Sequence, residues 1–132
     1  MRIRKARQLL KSFADDTRLR IINLLNCKQL TVSELCDILE KNQSNLSKHL
    51  SRLRLTGIVL DKRKGLSVYY SLIRSEEKAH KELLNVITEG LCELEIFKKD
   101  LQRLQQIIKI KKKGGGVMGG KKKPTPKPKD KK

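Results

Sequence analysis

Seven side chains crowded into one nine-residue window set the chemical question: Ser44, Asn45, Ser47, Lys48, His49, Ser51 and Arg52. They are short hydroxyl and amide groups interleaved with cations. No Asp or Glu occurs between Asn42 and Thr56. Short hydrogen-bonding groups let a helix backbone sink into a DNA major groove, about 12 Å wide, and reach base edges. Phosphates would repel a carboxylate there, whereas an ordinary solvated helix carries Glu and Lys pairs. A second cationic group, Lys62, Arg63 and Lys64, follows closely. Beside a turn it suits a minor-groove or backbone contact, although a charged turn alone is commonplace.

Catalysis has no comparable set. The chain has two histidines, His49 and His80, no acid pair, and no phosphate-cradling glycine loop in its folded part. The sequence therefore predicts no enzyme and no cofactor.

Leu46, Leu50 and Leu53 fall within one narrow arc of a helix at about 100° per residue, opposite Ser44, Asn45, Lys48, Ser51 and Arg52. This fourth helix is expected from a cap at Asn42 or Ser44 to about Thr56, where Gly57 stops it. Ahead of it, "TVSE" at 31–34 is a capping box opening a third helix with Val32, Leu35, Ile38 and Leu39 inward. Two earlier helices are expected over 3–14 and about 17–26, with "DDT" at 15–17 as break and cap. Two helices joined by a tight turn form a helix-turn-helix. Residues 58–62 and 66–72 are β-rich around "RKG", with Gly65 supplying the positive φ of a hairpin. From Ser75 a long helix is expected to about residue 110. Its stripe is Leu84, Ile87, Leu91, Leu94, Phe97, Leu101, Leu104 and Ile108. A small domain has too little surface to cover so long a stripe, so it reads as a dimer seam.

The totals agree with a polyanion partner. Lys and Arg number 32 against 14 Asp and Glu, net +18, in a chain of 132 residues. Lys109 to Lys132 carries eleven lysines and one aspartate, which leaves +8 on the first 108 residues. Each neutralised phosphate releases condensed counterions. The segment 111–132 is rich in Gly, Lys and Pro and almost free of apolar residues, so it is expected to be a disordered basic tail behind a 1–110 domain. Cys27, Cys36 and Cys92 are odd in number and form no CxxC, which favours a reducing cytoplasm. No apolar run is long enough to span a bilayer, and the basic first sixteen residues lack the apolar core of a signal peptide.

"FADDTRLRIINLL", "TVSELCDIL" and "QSNLSKHLSRLRLTGIVLDKRKGLSVYYSL" together resemble the ArsR/SmtB family of bacterial metal- and stress-responsive repressors, over roughly residues 8–73. The resemblance implies a dimeric winged helix-turn-helix with its first and last helices at the interface. It also implies operator binding and repression that an inducer relieves. The family's thiol sensors carry "CVCDL" where this chain has "TVSEL", so Thr31 and Ser33 replace the two cysteines. Hydroxyls are poor ligands for soft metals, and Cys36 matches only an accessory thiol. The family's other site uses carboxylates and histidines on the last helix. Here Glu76 fits one position, Ile87 and Gly90 do not, and His80 reads as an ion-pair partner of Glu76. No zinc or arsenic site is expected. Cys27 and Cys92 lie loosely where some relatives place paired sensing thiols.

The expectation is thus a mainly α chain with a small β-hairpin wing, a winged helix-turn-helix with a long C-terminal dimerisation helix. It would act as a homodimeric, cytoplasmic repressor on an inverted-repeat operator in double-stranded DNA. Ser44, Asn45, Ser47, Lys48, Ser51 and Arg52 would read the groove or position the helix. His49 would bond backbone phosphate or brace the helix, and Lys62, Arg63 and Lys64 would grip the flanking backbone. A non-specific architectural DNA-binding protein is the main alternative. A protein-interaction module whose last helix takes a different partner is the other.

Overall fold

The computed structural model of the chain describes residues 1–119. Helix α1 (Ile3–Phe13) turns its Leu9, Ser12 and Phe13 inward. Helix α2 (Asp16–Cys27) starts where the Asp15 carboxylate accepts from the Arg18 N–H at 3.0 Å. Strand β1 (Leu30–Thr31) leads directly into α3 (Val32–Leu39). Both halves of the expected capping box form: Glu34 N–H donates to Thr31 Oγ1 at 3.2 Å, and Thr31 N–H to Glu34 Oε1 at 2.9 Å. A left-handed Glu40, φ 56°, ends α3 and begins the tight turn.

Helix α4 (Gln43–Leu55) is capped by Asn42, whose side chain accepts from Asn45 N–H at 2.8 Å. Its end is a Schellman motif. Gly57 N–H donates to Arg54 O at 3.1 Å and Ile58 N–H to Leu53 O at 2.9 Å, with Gly57 at φ 76°. Leu53 and Ile58, which accompany that turn, are both fully buried.

Strands β2 (Val59–Lys64) and β3 (Ser67–Leu72) pair antiparallel around a two-residue Gly65–Leu66 connection, with Gly65 at φ 63°. A glycine at the first central position is what a twisted two-residue hairpin favours. The sheet has a third strand that the sequence did not announce. β1 adds to β3, Leu30 opposite Tyr70 and Thr31 opposite Tyr69, giving the order β1-β3-β2. Thr31 is therefore both the last residue of a strand and the cap of a helix.

The C-terminal stripe is split. Helix α5 (Lys78–Asn85) begins three residues later than Ser75, whose hydroxyl instead accepts from Glu77 N–H at 3.0 Å. A π-helical turn (Val86–Gly90) follows, then an irregular stretch, then the long helix α6 (Glu95–Gly119). A glycine inside a helix costs about 1 kcal/mol relative to alanine, and Gly90 sits at the break. The gain lies in the fold-back. Phe97 and Leu104 on α6 are each 1 % exposed, packed into the same core as Ile21, Ile22, Leu24, Leu35 and Ile38. Arg20 holds Asp100 through two bonds of 2.8 Å, and Asn23 Nδ2 donates to Phe97 O at 3.4 Å. Four residues of the stripe, Leu84, Ile87, Phe97 and Leu104, are thus buried within their own chain, whereas Leu94 is exposed and Leu91, Leu101 and Ile108 are half-buried. The segment read as a tail from residue 111 starts inside α6, and residues 120–132 lie outside the described residues.

Candidate nucleic-acid interface

Leu46, Leu50 and Leu53 bury one side of α4 at no more than 1 % exposure. Burying each such side chain contributes about 2 kcal/mol, so α4 cannot roll without large loss. That constraint presents Ser44, Asn45, Lys48, Ser51 and Arg52 to solvent together, with Ser47 and His49 half-buried at the flanks. Gln43, Arg54 and Leu55 extend the same exposed surface. On the hairpin, Lys62, Arg63 and Lys64 are all exposed. Lys64 Nζ lies 5.5 Å from the Tyr69 ring centroid, a cation–π distance that stiffens the wing. Among the described residues, no ion pair engages Lys48, Arg52, Lys62, Arg63 or Lys64. These cations therefore remain available to an external anion.

His49 is placed differently from its neighbours. Its Nδ1 lies 3.1 Å from Arg18 Nη1 and 3.6 Å from Asp15 Oδ2. A guanidinium only donates, so Nδ1 accepts and the proton of the neutral ring sits on Nε2. Burial first lowers the His49 pKa, and the charges of Arg18, Lys48 and Lys41 add to it against the opposing Asp15 carboxylate. Arg18 did not stand out in the sequence, because only the fold brings residue 18 against residue 49.

The remaining candidate chemistry is sparse. His80 is 5 % exposed with Nε2 3.2 Å from Ile73 O, while Glu76 pairs with Lys81, so the expected Glu76–His80 ion pair is absent. Buried His80 is a brace between α5 and the end of β3. Thr31 Oγ1 is engaged as a helix cap and Ser33 is exposed. Among the described residues, no three His, Cys, Asp or Glu side chains are grouped so as to hold a metal ion. All three cysteines are free, and desolvation raises the Cys27 and Cys36 thiols, away from the reactive thiolate. Cys92 is exposed in the turn before α6.

Residues 15–60, from the start of α2 to the first residues of β2, match the model of the bacterial regulatory protein family arsR. The transcriptional activator HlyU of Vibrio cholerae is 43 % identical over 81 residues, which cover 61 % of this chain and 75 % of that protein. The chain belongs to the ArsR family of bacterial regulatory proteins. A further ArsR-family relative, the arsenical resistance operon repressor of Escherichia coli, is 44 % identical over 66 residues, 49 % of this chain and 56 % of its own length. Among solved structures, reduced HlyU from Vibrio cholerae superposes with a TM-score of 0.58 at 34 % identity, over 68 % of this chain and 92 % of that one. The repressor BigR from Xylella fastidiosa gives 0.60 at 27 % identity, over 70 % and 88 %. The architecture is accordingly the family's winged helix-turn-helix, with α3 and α4 as its two helices and β2–β3 as its wing.

Proposed function

We propose that this chain is a homodimeric, sequence-specific DNA-binding transcriptional regulator, acting as a repressor in the cytoplasm on an inverted-repeat operator. The observation that carries the reading is the carboxylate-free, leucine-backed face of α4 beside a wing whose three cations have no ion-pair partner among the described residues. Ser44, Asn45, Ser47, Lys48, Ser51 and Arg52 read the major groove or position the helix in it. His49 bonds a backbone phosphate or braces the helix, and Lys62, Arg63 and Lys64 hold the flanking backbone. Named relatives include both activators and repressors; a helix seated on its operator blocks transcription by occupancy alone, which favours repression as the direct effect.

Two-fold symmetry sets the half-sites about one helical turn, near 34 Å, apart. The pairing surface takes in α1 and the C-terminal helical segment from α5 into α6, which leave Ile3, Leu10, Val86, Leu94 and Ile96 exposed. No helix among the described residues is long and apolar enough to cross a membrane, and nothing in the site suggests an enzyme. The basic segment beyond residue 108 favours a second reading, an architectural protein that coats DNA without choosing sites.

The test is selection of bound fragments from a random duplex pool, followed by competition with random DNA at moderate salt. A regulator returns a symmetric motif and prefers it by about a thousandfold; a coating protein returns none. Ser44→Glu with Lys48→Glu abolishes that preference and leaves the sedimenting species unchanged. Survival of specific binding in that variant would show that α4 is not the reading helix.

A further inference from the structure

One guanidinium joins three elements. Arg18 Nε donates to Ser12 O at 2.8 Å, Nη2 to Lys11 O at 3.3 Å, and Nη1 to His49 Nδ1 at 3.1 Å. The first two acceptors are carbonyls of the last turn of α1, of which Lys11 O also accepts from the Ala14 N–H at 3.1 Å. The third lies in the middle of α4. A second fastening sits further along. The fully buried Ser12 Oγ donates to Thr56 Oγ1 at 3.0 Å, and Thr56 Oγ1 donates to Arg52 O at 3.0 Å. Residues 49 and 56 are about 10 Å apart along a helix axis. A single attachment lets a rod pivot; two fix its tilt.

We propose that Arg18 is a positioning residue for operator reading: through neutral His49 and the end of α1 it sets the angle at which α4 enters the groove. This rests on the DNA-reading function above. In a symmetric dimer paired through α1, that angle determines how far apart the two reading helices stand, and therefore which half-site spacing fits. Arg18 itself touches no base.

The contact also has two states. Neutral His49 accepts from Arg18. A protonated ring has no lone pair at Nδ1 and would place a charge 3.1 Å from a guanidinium, with the Asp15 carboxylate, 3.6 Å from the same nitrogen, as its new partner. The other charges facing the ring are Lys48 on α4 and Lys41 in the turn before it. Acidification thus detaches α4 from α1 at this point while leaving the exposed cations of α4 and the wing untouched.

The test uses the full chain and an operator selected from random duplex DNA. Affinity for operator and for random DNA is measured between about pH 8 and about pH 5.5, across the titration range of histidine. Three variants accompany the parent: Arg18→Lys, His49→Gln, and Ser12→Ala with Thr56→Val. Arg18→Lys keeps the charge but cannot span three acceptors, so operator affinity falls about tenfold while random-DNA affinity and salt slope stay unchanged. The parent's preference for operator shrinks on acidification, and His49→Gln, whose amide oxygen still accepts, keeps it flat. The Ser12/Thr56 double variant replaces both partners of a hydrogen bond, which is close to neutral for folding. It supports the inference by accepting a wider range of half-site spacings, even where Arg18→Lys fails to fold. Equal operator preference in parent and Arg18→Lys would overturn the inference and leave the regulator intact. So would acidification that tightens both DNAs with a salt slope steeper by about 1, since His49 would then act as a simple phosphate contact. A pool that yields no preferred sequence overturns the regulator reading, and the inference with it.

Discussion

The Asp100 carboxylate receives Nε and Nη2 of Arg20, both at 2.8 Å, across 80 residues of sequence. Asp100 is 1 % exposed and Arg20 18 %, so the pair closes the joint between α2 and α6 largely out of water. Its hydrogen bond to Asp100 is also the main reason the Arg20 pKa is raised. Removing one partner of such a pair strands the other. Asp100→Ala should destabilise the chain by about 3 kcal/mol, whereas Arg20→Met with Asp100→Leu should cost much less. Urea denaturation of the three proteins measures the difference.

Gly57 holds φ 76° at the end of α4, and a Cβ built there meets nothing within 4 Å. Any penalty of substitution is therefore backbone strain alone. Gly57→Ala should lower stability by about 1 kcal/mol, and an equivalent change at Gly65, also open and at φ 63°, should cost a similar amount. Thermal melts suffice, and a loss several times larger would mean that the Schellman turn is coupled to more than its own hydrogen bonds.

Burial alone would raise the Glu34 carboxyl, but hydrogen bonds from Lys111 and from the Thr31 backbone N–H outweigh it and hold the pKa below the ordinary carboxylate range. A carboxylate lowered in the folded state stabilises the fold above its unfolded pKa, and that contribution is lost as pH falls through the folded value. Between about pH 6 and about pH 3 the parent should therefore lose more stability than Glu34→Gln. Parallel urea titrations at the two ends of that window test the sign.

Lys62, Arg63 and Lys64 together on the wing predict a specific salt dependence. Replacing all three by serine should weaken operator and random DNA about equally. It should also reduce the slope of log affinity against log salt by about 0.9 for each phosphate that the wing no longer neutralises. An unchanged slope would place the wing away from the backbone.

Local signals in the sequence translated well. The Thr31–Glu34 capping box, the Asn42 cap, the Gly57 stop and the Gly65 turn each depend on neighbours within a few residues, and each appears in the structure. The inward leucines of α4 followed from helical period alone. Long-range facts did not follow. Periodicity shows that residues 84–108 carry an apolar stripe but is silent on what covers it, so the break at Gly90 and the return of α6 to α2 and α3 were invisible. Likewise β1 is two residues long, too short to carry alternation, and its pairing with β3 comes from chain geometry. Arg18 carried no signal in the sequence, since its partners at residues 11, 12 and 49 are drawn together only by the helix crossing.

Thr31 ends β1 opposite Tyr69 and, in the same residue, caps α3. Two elements that share a residue have no hinge between them. The wing therefore cannot sway against the helix-turn-helix without unpicking either a strand pair or a helix start. The gap between the Lys62–Lys64 tip and α4 behaves as the opening of a locked caliper, whose width is set when the chain folds rather than when a duplex arrives.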